Sequence, residues 1–160
     1  MGRDKNEQDL PLTLIHLLHL ASLYKDKVLN EQGKDFNVTA AQLKVLASLY
    51  KGVCDTPIGL AETLDMDTGG VARMLARLVA KGLVARKVDS SDRRRAKLWL
   101  TPEGITVCQQ IIDNKQTPGI NERLTQQLTP NEVSQLKSLL TRLLPADYLA
   151  SRMKNRKGNS

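Results

Sequence analysis

Residues 56–100 hold a short helix, a tight turn, a longer helix and two strands with almost no connecting chain between them. Thr56 is placed as an N-cap and Pro57 as the first helical residue, so a helix opens there and runs to Leu64. Asp65-Met66-Asp67 leads into a second helix, Thr68 to Lys81, which Gly82 stops. "LVARKV" then reads as a strand and "AKLWL" as its partner, with Asp89 to Arg95 as the connection. Ala96, Leu98 and Leu100 share one face of the second strand, and Lys97 and Trp99 share the other. A short helix and a longer one joined by a tight turn make a helix-turn-helix, and the hairpin after it makes a winged helix.

The flanking segments are helical. From Leu10 to Asn30, Leu10, Leu14, Leu17, Leu18, Ala21, Val28 and Leu29 fall at helical spacing, while Leu12, Ile15, Leu20 and Leu23 fill much of the other side. A helix apolar nearly all round needs burial on several sides, and in so small a protein that means a second copy. "TAAQLKVLASLYKG" opens with Thr39 as N-cap and Gln42 three residues on, the capping-box pattern, and Gly52 ends it. Leu43, Leu46, Ala47 and Tyr50 give its core face. Thr101-Pro102-Glu103 restarts a helix that is expected to reach about Leu128, disturbed at Pro118-Gly119. Thr129-Pro130-Asn131-Glu132 repeats the start signal. Leu136, Leu139, Leu140, Leu143 and Leu144 form the stripe of a last long helix, which Pro145 stops.

The expected fold class is therefore mainly α with a small β-hairpin. Residues 38–101 form a winged helix-turn-helix domain, and residues 10–31 and 102–145 form a helical dimerisation region. Residues 1–9 and 146–160 are expected to be flexible tails.

Charge favours an anionic partner: 24 Lys and Arg face 17 Asp and Glu, a formal net charge of +7. Aromatic residues are only 3% of the chain, too few to stack on unpaired bases, which argues against single-stranded nucleic acid or RNA. Cys54 and Cys108 have no metal-ligand spacing and read as reduced thiols of a cytoplasmic protein. The apolar run Leu10 to Leu23 is broken by His16, His19 and Ser22, so neither a signal peptide nor a membrane partner is expected. P-loop, H-E-x-x-H and G-x-S-x-G motifs are missing, so no enzyme and no cofactor is expected. His16 and His19, at i and i+3, have no carboxylate or cysteine near in sequence. They read as interface or pocket residues, His19 as a pocket candidate, rather than as a metal pair.

The helix Thr68–Lys81 has two unlike faces. Val71, Leu75, Leu78 and Val79 make an apolar stripe with Met74 beside it. The other face carries Gly69, Ala72, Arg73, Ala76, Arg77 and Ala80. Small side chains allow close approach to a large partner, and two arginines at i and i+4 reach past them to guanine edges or phosphates in a major groove. Gly69-Gly70 costs roughly 1 kcal/mol each against alanine, which close approach of backbone N–H groups to a phosphate would offset. A hairpin tip beside such a helix falls over the adjacent minor groove, where arginine is favoured. The candidate DNA-binding residues are thus Thr56, Asp67, Gly69, Gly70, Ala72, Arg73 and Arg77, with Asp92, Arg93, Arg94 and Arg95 in the wing. Two rival readings stand beside this one: an architectural protein that coats DNA with little sequence preference, and a small-molecule carrier or enzyme using the space between helices.

The stretches "NVTAAQLKVL", "TP" with "DTGGVARMLARLVAKGLVAR", "DSSDRRR…LTPEG" and "LTPNEV…LLTRLLP" together resemble the MarR (multiple antibiotic resistance regulator) family of bacterial transcription factors. They cover most of residues 10–145. The resemblance implies a homodimer of interlocked N- and C-terminal helices that binds a palindromic operator in double-stranded DNA. It implies repression of the protein's own operon and of efflux or stress-resistance genes, with release by a small phenolic or aromatic acid such as salicylate. It places Arg73 and Arg77 in the groove and Arg94 at the wing tip, oriented by Asp92. It places the effector near Pro57, Gly70, Met74, Arg77 and Arg86. Two positions depart from the antibiotic-resistance pattern of the family. Ala72 stands in place of a threonine hydroxyl, which removes a hydrogen-bond donor to DNA and to a ligand carboxylate. Ala80 stands in place of an oxidisable cysteine, so no copper or disulfide switch is expected there.

Overall fold

The structure is a computed structural model that describes residues 12–88, 90–91, 96–113 and 118–154, with the side chains of 153 and 154 excepted. Its elements in chain order are α1 (Leu14–Gly33), a 3-10 turn (Lys34–Phe36), α2 (Ala40–Tyr50), α3 (Pro57–Leu64), α4 (Thr68–Ala80), β1 (Val84–Lys87), β2 (Lys97–Leu100), α5 (Pro102–Ile112), α6 (Ile120–Leu124), α7 (Pro130–Leu143) and α8 (Ala146–Lys154). The fold is a winged helix flanked by helices, as the sequence predicts.

Hydroxyl caps start most of these helices. Thr39 Oγ1 accepts from Gln42 N at 3.2 Å, and Gln42 Oε1 accepts from Thr39 N at 3.1 Å, so the predicted capping box closes. Thr129 and Glu132 form a second box at the start of α7. Thr56 and Thr101 cap α3 and α5, each followed by a proline in the first turn. Gly82, with φ of +69°, ends α4 in the left-handed conformation that only glycine adopts freely.

The core lies between α2, α3, α4, α5 and the hairpin. Leu43, Val45, Leu46, Leu60, Val71, Leu78, Val84, Leu98 and Cys108 are its fully buried side chains. β1 and β2 are antiparallel, with Val84 opposite Leu100 and Arg86 opposite Leu98. Ala96 and Leu98 are buried and Leu100 half-buried, while Lys97 and Trp99 are exposed, so the predicted alternation holds. Burial pushes the Cys108 thiol up to about 11.

Four expectations are corrected. The helix opened at Thr101 ends at Ile112 instead of running to Leu128. Asp113 leaves the helical conformation there, its N–H still donating to the Gln109 carbonyl, and a fresh short helix, α6, starts after Gly119. Residues 146–154 of the expected flexible tail form α8. Pro145 stops α7 by holding Leu144 extended, and its carbonyl then accepts from Leu149 N at 2.9 Å in the first turn of the next helix. Val79, expected in the apolar stripe of α4, is 36% exposed. The first helix is shifted along the chain to Leu14–Gly33 because Thr13 caps it, accepting from His16 N at 3.3 Å.

The first half of α1, from Leu14 to Tyr24, and the whole of α7 leave large apolar side chains uncovered. Ile15 is 79% exposed, Leu139 is 59% exposed, and no residue of α7 is buried.

Candidate nucleic-acid interface

α4 begins at a carboxylate. Asp67 is its N-cap, and its side chain accepts from Gly70 N at 2.9 Å. That bond explains part of the glycine pair. A Cβ on Gly70 would lie 2.8 Å from Asp67 Oδ1 and would crowd the cap. The Gly70 N–H, expected at a phosphate, is here donated to Asp67. Thr56 is used in the same way: its hydroxyl accepts from Gly59 N at 3.1 Å at the start of α3.

Beyond the cap, the helix presents the two faces the sequence predicts. Val71, Leu75 and Leu78 are buried, and Met74 packs half-buried against the same core. Ala72, Arg73, Ala76, Arg77 and Ala80 are exposed. Neither Arg73 nor Arg77 has an ion pair or a hydrogen-bonded side chain among the described residues. Two unpaired guanidinium groups, one turn apart on a face of alanines, leave ten N–H donors open to a partner, five from each side chain.

The far end of α4 is fixed by Lys81. Its ammonium donates to Gln42 Oε1 at 3.0 Å and to the Asn37 carbonyl, which ties the end of α4 to the start of α2. The hairpin is fixed at its base. Leu98 N donates to the Asp55 carbonyl at 2.8 Å, Thr101 N to the Leu83 carbonyl at 3.1 Å, and Thr101 Oγ1 to the Gly82 carbonyl at 2.6 Å. The wing strands therefore stand at a set angle to α3 and α4.

Two cations escaped the sequence reading. Lys87 and Lys97 face each other across the hairpin and are both exposed. Like charges directly opposite destabilise a strand pair. Lys97 is relieved in part by Asp55 at 3.7 Å. The available signal was the register, since both lysines flank the connection at equal distance. Arg86, expected at a ligand, is exposed on β1 opposite Leu98. Asp92, Arg93, Arg94 and Arg95 lie outside the described residues.

The residues expected at an effector are not gathered round one of the clefts described here. Gly70, Met74 and Arg77 share α4, and Pro57 begins α3, which packs on α4. His19 is exposed on α1, which packs chiefly on α2 and α6. A cleft of about 1000 Å³ is lined instead by Leu29, Leu43, Lys44, Lys51, Ile111 and Ile120 among others. A second, of about 400 Å³, is lined by Leu49, Tyr50, Cys54, Asp55, Trp99 and Ile105 among others. Among the described residues no group of three or more His, Cys, Asp or Glu is placed to hold a metal ion. No helix among them is long and apolar enough to cross a membrane.

Residues 38–96, the span from α2 to the residue before β2, match the MarR family. The chain is 39% identical over 136 residues to the multiple antibiotic resistance protein MarR of Escherichia coli K12, covering 84% of this chain and 92% of that one. The chain belongs to the MarR family. A second relative, the HTH-type transcriptional repressor MdtR of Bacillus subtilis, is 30% identical and is matched over 98% of this chain and 97% of its own. In structure, the chain is similar to a cysteine-to-serine mutant of E. coli MarR complexed with operator DNA. The TM-score is 0.71 at 38% identity, over 89% of this chain and all of that one. MarR-family membership accounts for the winged helix; by name, the Bacillus relative is a transcriptional repressor and the E. coli structure is a complex with operator DNA.

Proposed function

We propose that this MarR-family protein is a cytoplasmic, homodimeric transcriptional repressor that binds a palindromic operator. Each protomer lays α4 in a major groove and its wing, residues 89–95, in a flanking minor groove. The observation that carries this is the exposed face of α4: small residues, with Arg73 and Arg77 unpaired and available to base edges. The opposed Lys87 and Lys97 support it, because a polyanion relieves the repulsion they suffer in the free protein. Two-fold symmetry puts the half-sites about one helical turn, roughly 10 base pairs, apart.

The uncovered leucines of α1 and α7 support the dimer. Both helices turn apolar side chains outward, far beyond what a monomer leaves in water. A second copy that interlocks with the first covers both stripes at once.

The effector is a small phenolic or aromatic acid. It acts by favouring a dimer whose two α4 helices have the wrong separation, and only through its differential affinity for that state. Genes of the protein's own operon and of efflux or stress resistance are the regulated targets.

Fluorescence anisotropy tests the reading. A labelled duplex from upstream of the protein's own coding sequence is titrated against a scrambled control, with and without millimolar salicylate. Selective binding that salicylate weakens is expected. Selective binding indifferent to salicylate keeps the repressor and removes this effector, with Ala72 as the first position to revert. Equal binding to both duplexes favours the rival reading, an architectural DNA-binding protein without a ligand switch, which the net charge of +7 also suits.

A further inference from the structure

α8 closes back on the helix-turn-helix. Arg152 Nη1 donates to the Glu62 carbonyl in the last turn of α3 at 2.9 Å. Its Nη2 lies 3.5 Å from Asp65 Oδ1, and its guanidinium stands 5.4 Å from the centre of the Tyr148 ring. Asp65 is the left-handed residue that ends α3, and Asp67, two residues on, caps α4. One side chain from the end of the chain thus grips the turn that sets the direction of α4. Leu149 of the same helix is half-buried and, with Tyr148 and Arg152, lines a cleft whose other wall includes Ser48, Val53 and Leu64.

The contact is a poor candidate for holding the fold together. Asp65 is almost wholly exposed and Arg152 only half-buried, and an ion pair this open to solvent contributes little to stability. Its position is what distinguishes it. α8 follows α7 directly through Pro145, and α7 is the arm whose leucines are uncovered. The arm and the turn before α4 are therefore joined by one short helix.

We infer that α8 is a strap and Arg152 a positioning residue. It holds the α3–α4 turn against the α7 arm and so sets which half-site spacing the protein prefers. This rests on the dimeric-operator reading above. One base pair rotates a half-site by about a tenth of a turn, so a rigidly strapped dimer discriminates between spacings and a loosened one does not.

The test uses the full chain and three duplexes: the palindrome selected by the wild-type protein and versions with its half-sites one base pair closer or farther apart. The wild-type protein is expected to prefer one spacing by about tenfold, within the usual range of coupling between sites. Arg152→Met keeps the apolar stem but loses the donors, and its preference is expected to fall toward unity with thermal unfolding unchanged. Arg152→Lys, which can still reach the Glu62 carbonyl, retains part of it. Asp65→Asn, which tolerates the left-handed backbone, weakens the same grip from the other side and serves if Arg152→Met fails to fold. An undiminished spacing preference in Arg152→Met and Asp65→Asn overturns the strap alone. So does an equal loss on all three duplexes, which makes Arg152 a stability residue. A wild-type protein indifferent to spacing overturns the operator reading together with the strap.

Discussion

Lys81 Nζ lies 3.0 Å from Gln42 Oε1, so the last residue of the α4 turn is joined to the capping box that starts α2. Gln42 is only 4% exposed and its amide oxygen serves two donors, Thr39 N and Lys81 Nζ. A buried acceptor stripped of one charged donor loses about 1–2 kcal/mol. Lys81→Met is therefore expected to lower the urea midpoint by that amount. It is expected to leave operator affinity intact when measured well below the midpoint, because the Lys81 ammonium is already engaged by Gln42 and the Asn37 carbonyl. An unchanged midpoint would mean that this link carries no weight.

Gly104 touches the backbone of the wing base. A Cβ there would lie 2.0 Å from the Leu83 carbonyl, the same oxygen that accepts from Thr101 N. Neither atom is on a flexible side chain, so Gly104→Ala must push α5 away from β1. Overpacking of this kind costs typically 1–3 kcal/mol. Thermal or urea unfolding reads the loss directly, and a variant as stable as the wild type contradicts the close crossing.

The two arginine sites separate by the kind of DNA they lose. Arg73→Ala is expected to lose about 1–3 kcal/mol on the operator and little on scrambled duplex, as a base-reading side chain does. A uniform loss would make Arg73 a phosphate contact. Arg94→Ala, at the expected wing tip, should lose most operator affinity, and near-wild-type binding would remove the wing from the interface.

Asp26 carries a pH signature. Lys44 Nζ, 2.7 Å from its carboxylate, holds the group below its ordinary value of 3.8 by hydrogen bonding, with Lys25 helping by charge. A carboxylate depressed in the folded state binds its proton more readily when unfolded. Its stabilising effect is therefore complete above 3.8 and is lost as pH falls through the depressed value. The stability gap between wild type and Asp26→Asn is expected to be flat from neutral pH down to that range and to close below it. Both side chains are more than a third exposed, so the gap is small, under about 1 kcal/mol. A gap that persists in acid points to packing rather than charge.

Much of this was legible along the chain. Threonine followed by proline, threonine with Gln42 or Glu132 three residues on, and Gly82 after a helical stripe are local signals, and the structure uses each where it falls. Alternation alone placed Leu98 inside and Trp99 outside. What was not legible depends on distant partners. α8 is short and follows a proline stop, and its docking comes from Arg152 meeting the Glu62 carbonyl, a partner far away in sequence that no local pattern announces. The role of Asp67 was missed for a different reason. An aspartate directly before a helix is a cap signal as well as a polar surface residue, and the glycines behind it were read toward a phosphate instead of toward that carboxylate.

The anchoring of β2 to Asp55 through Leu98 has a spectroscopic consequence. Trp99, the next residue, is the chain's one tryptophan and is 46% exposed on the outer face of the wing. A single indole on a strand that cannot swing independently of α3 is a native emission probe. Its wavelength and quenching follow the hairpin's surroundings in the unlabelled protein, so an occupied wing and a bare one can be told apart by colour alone.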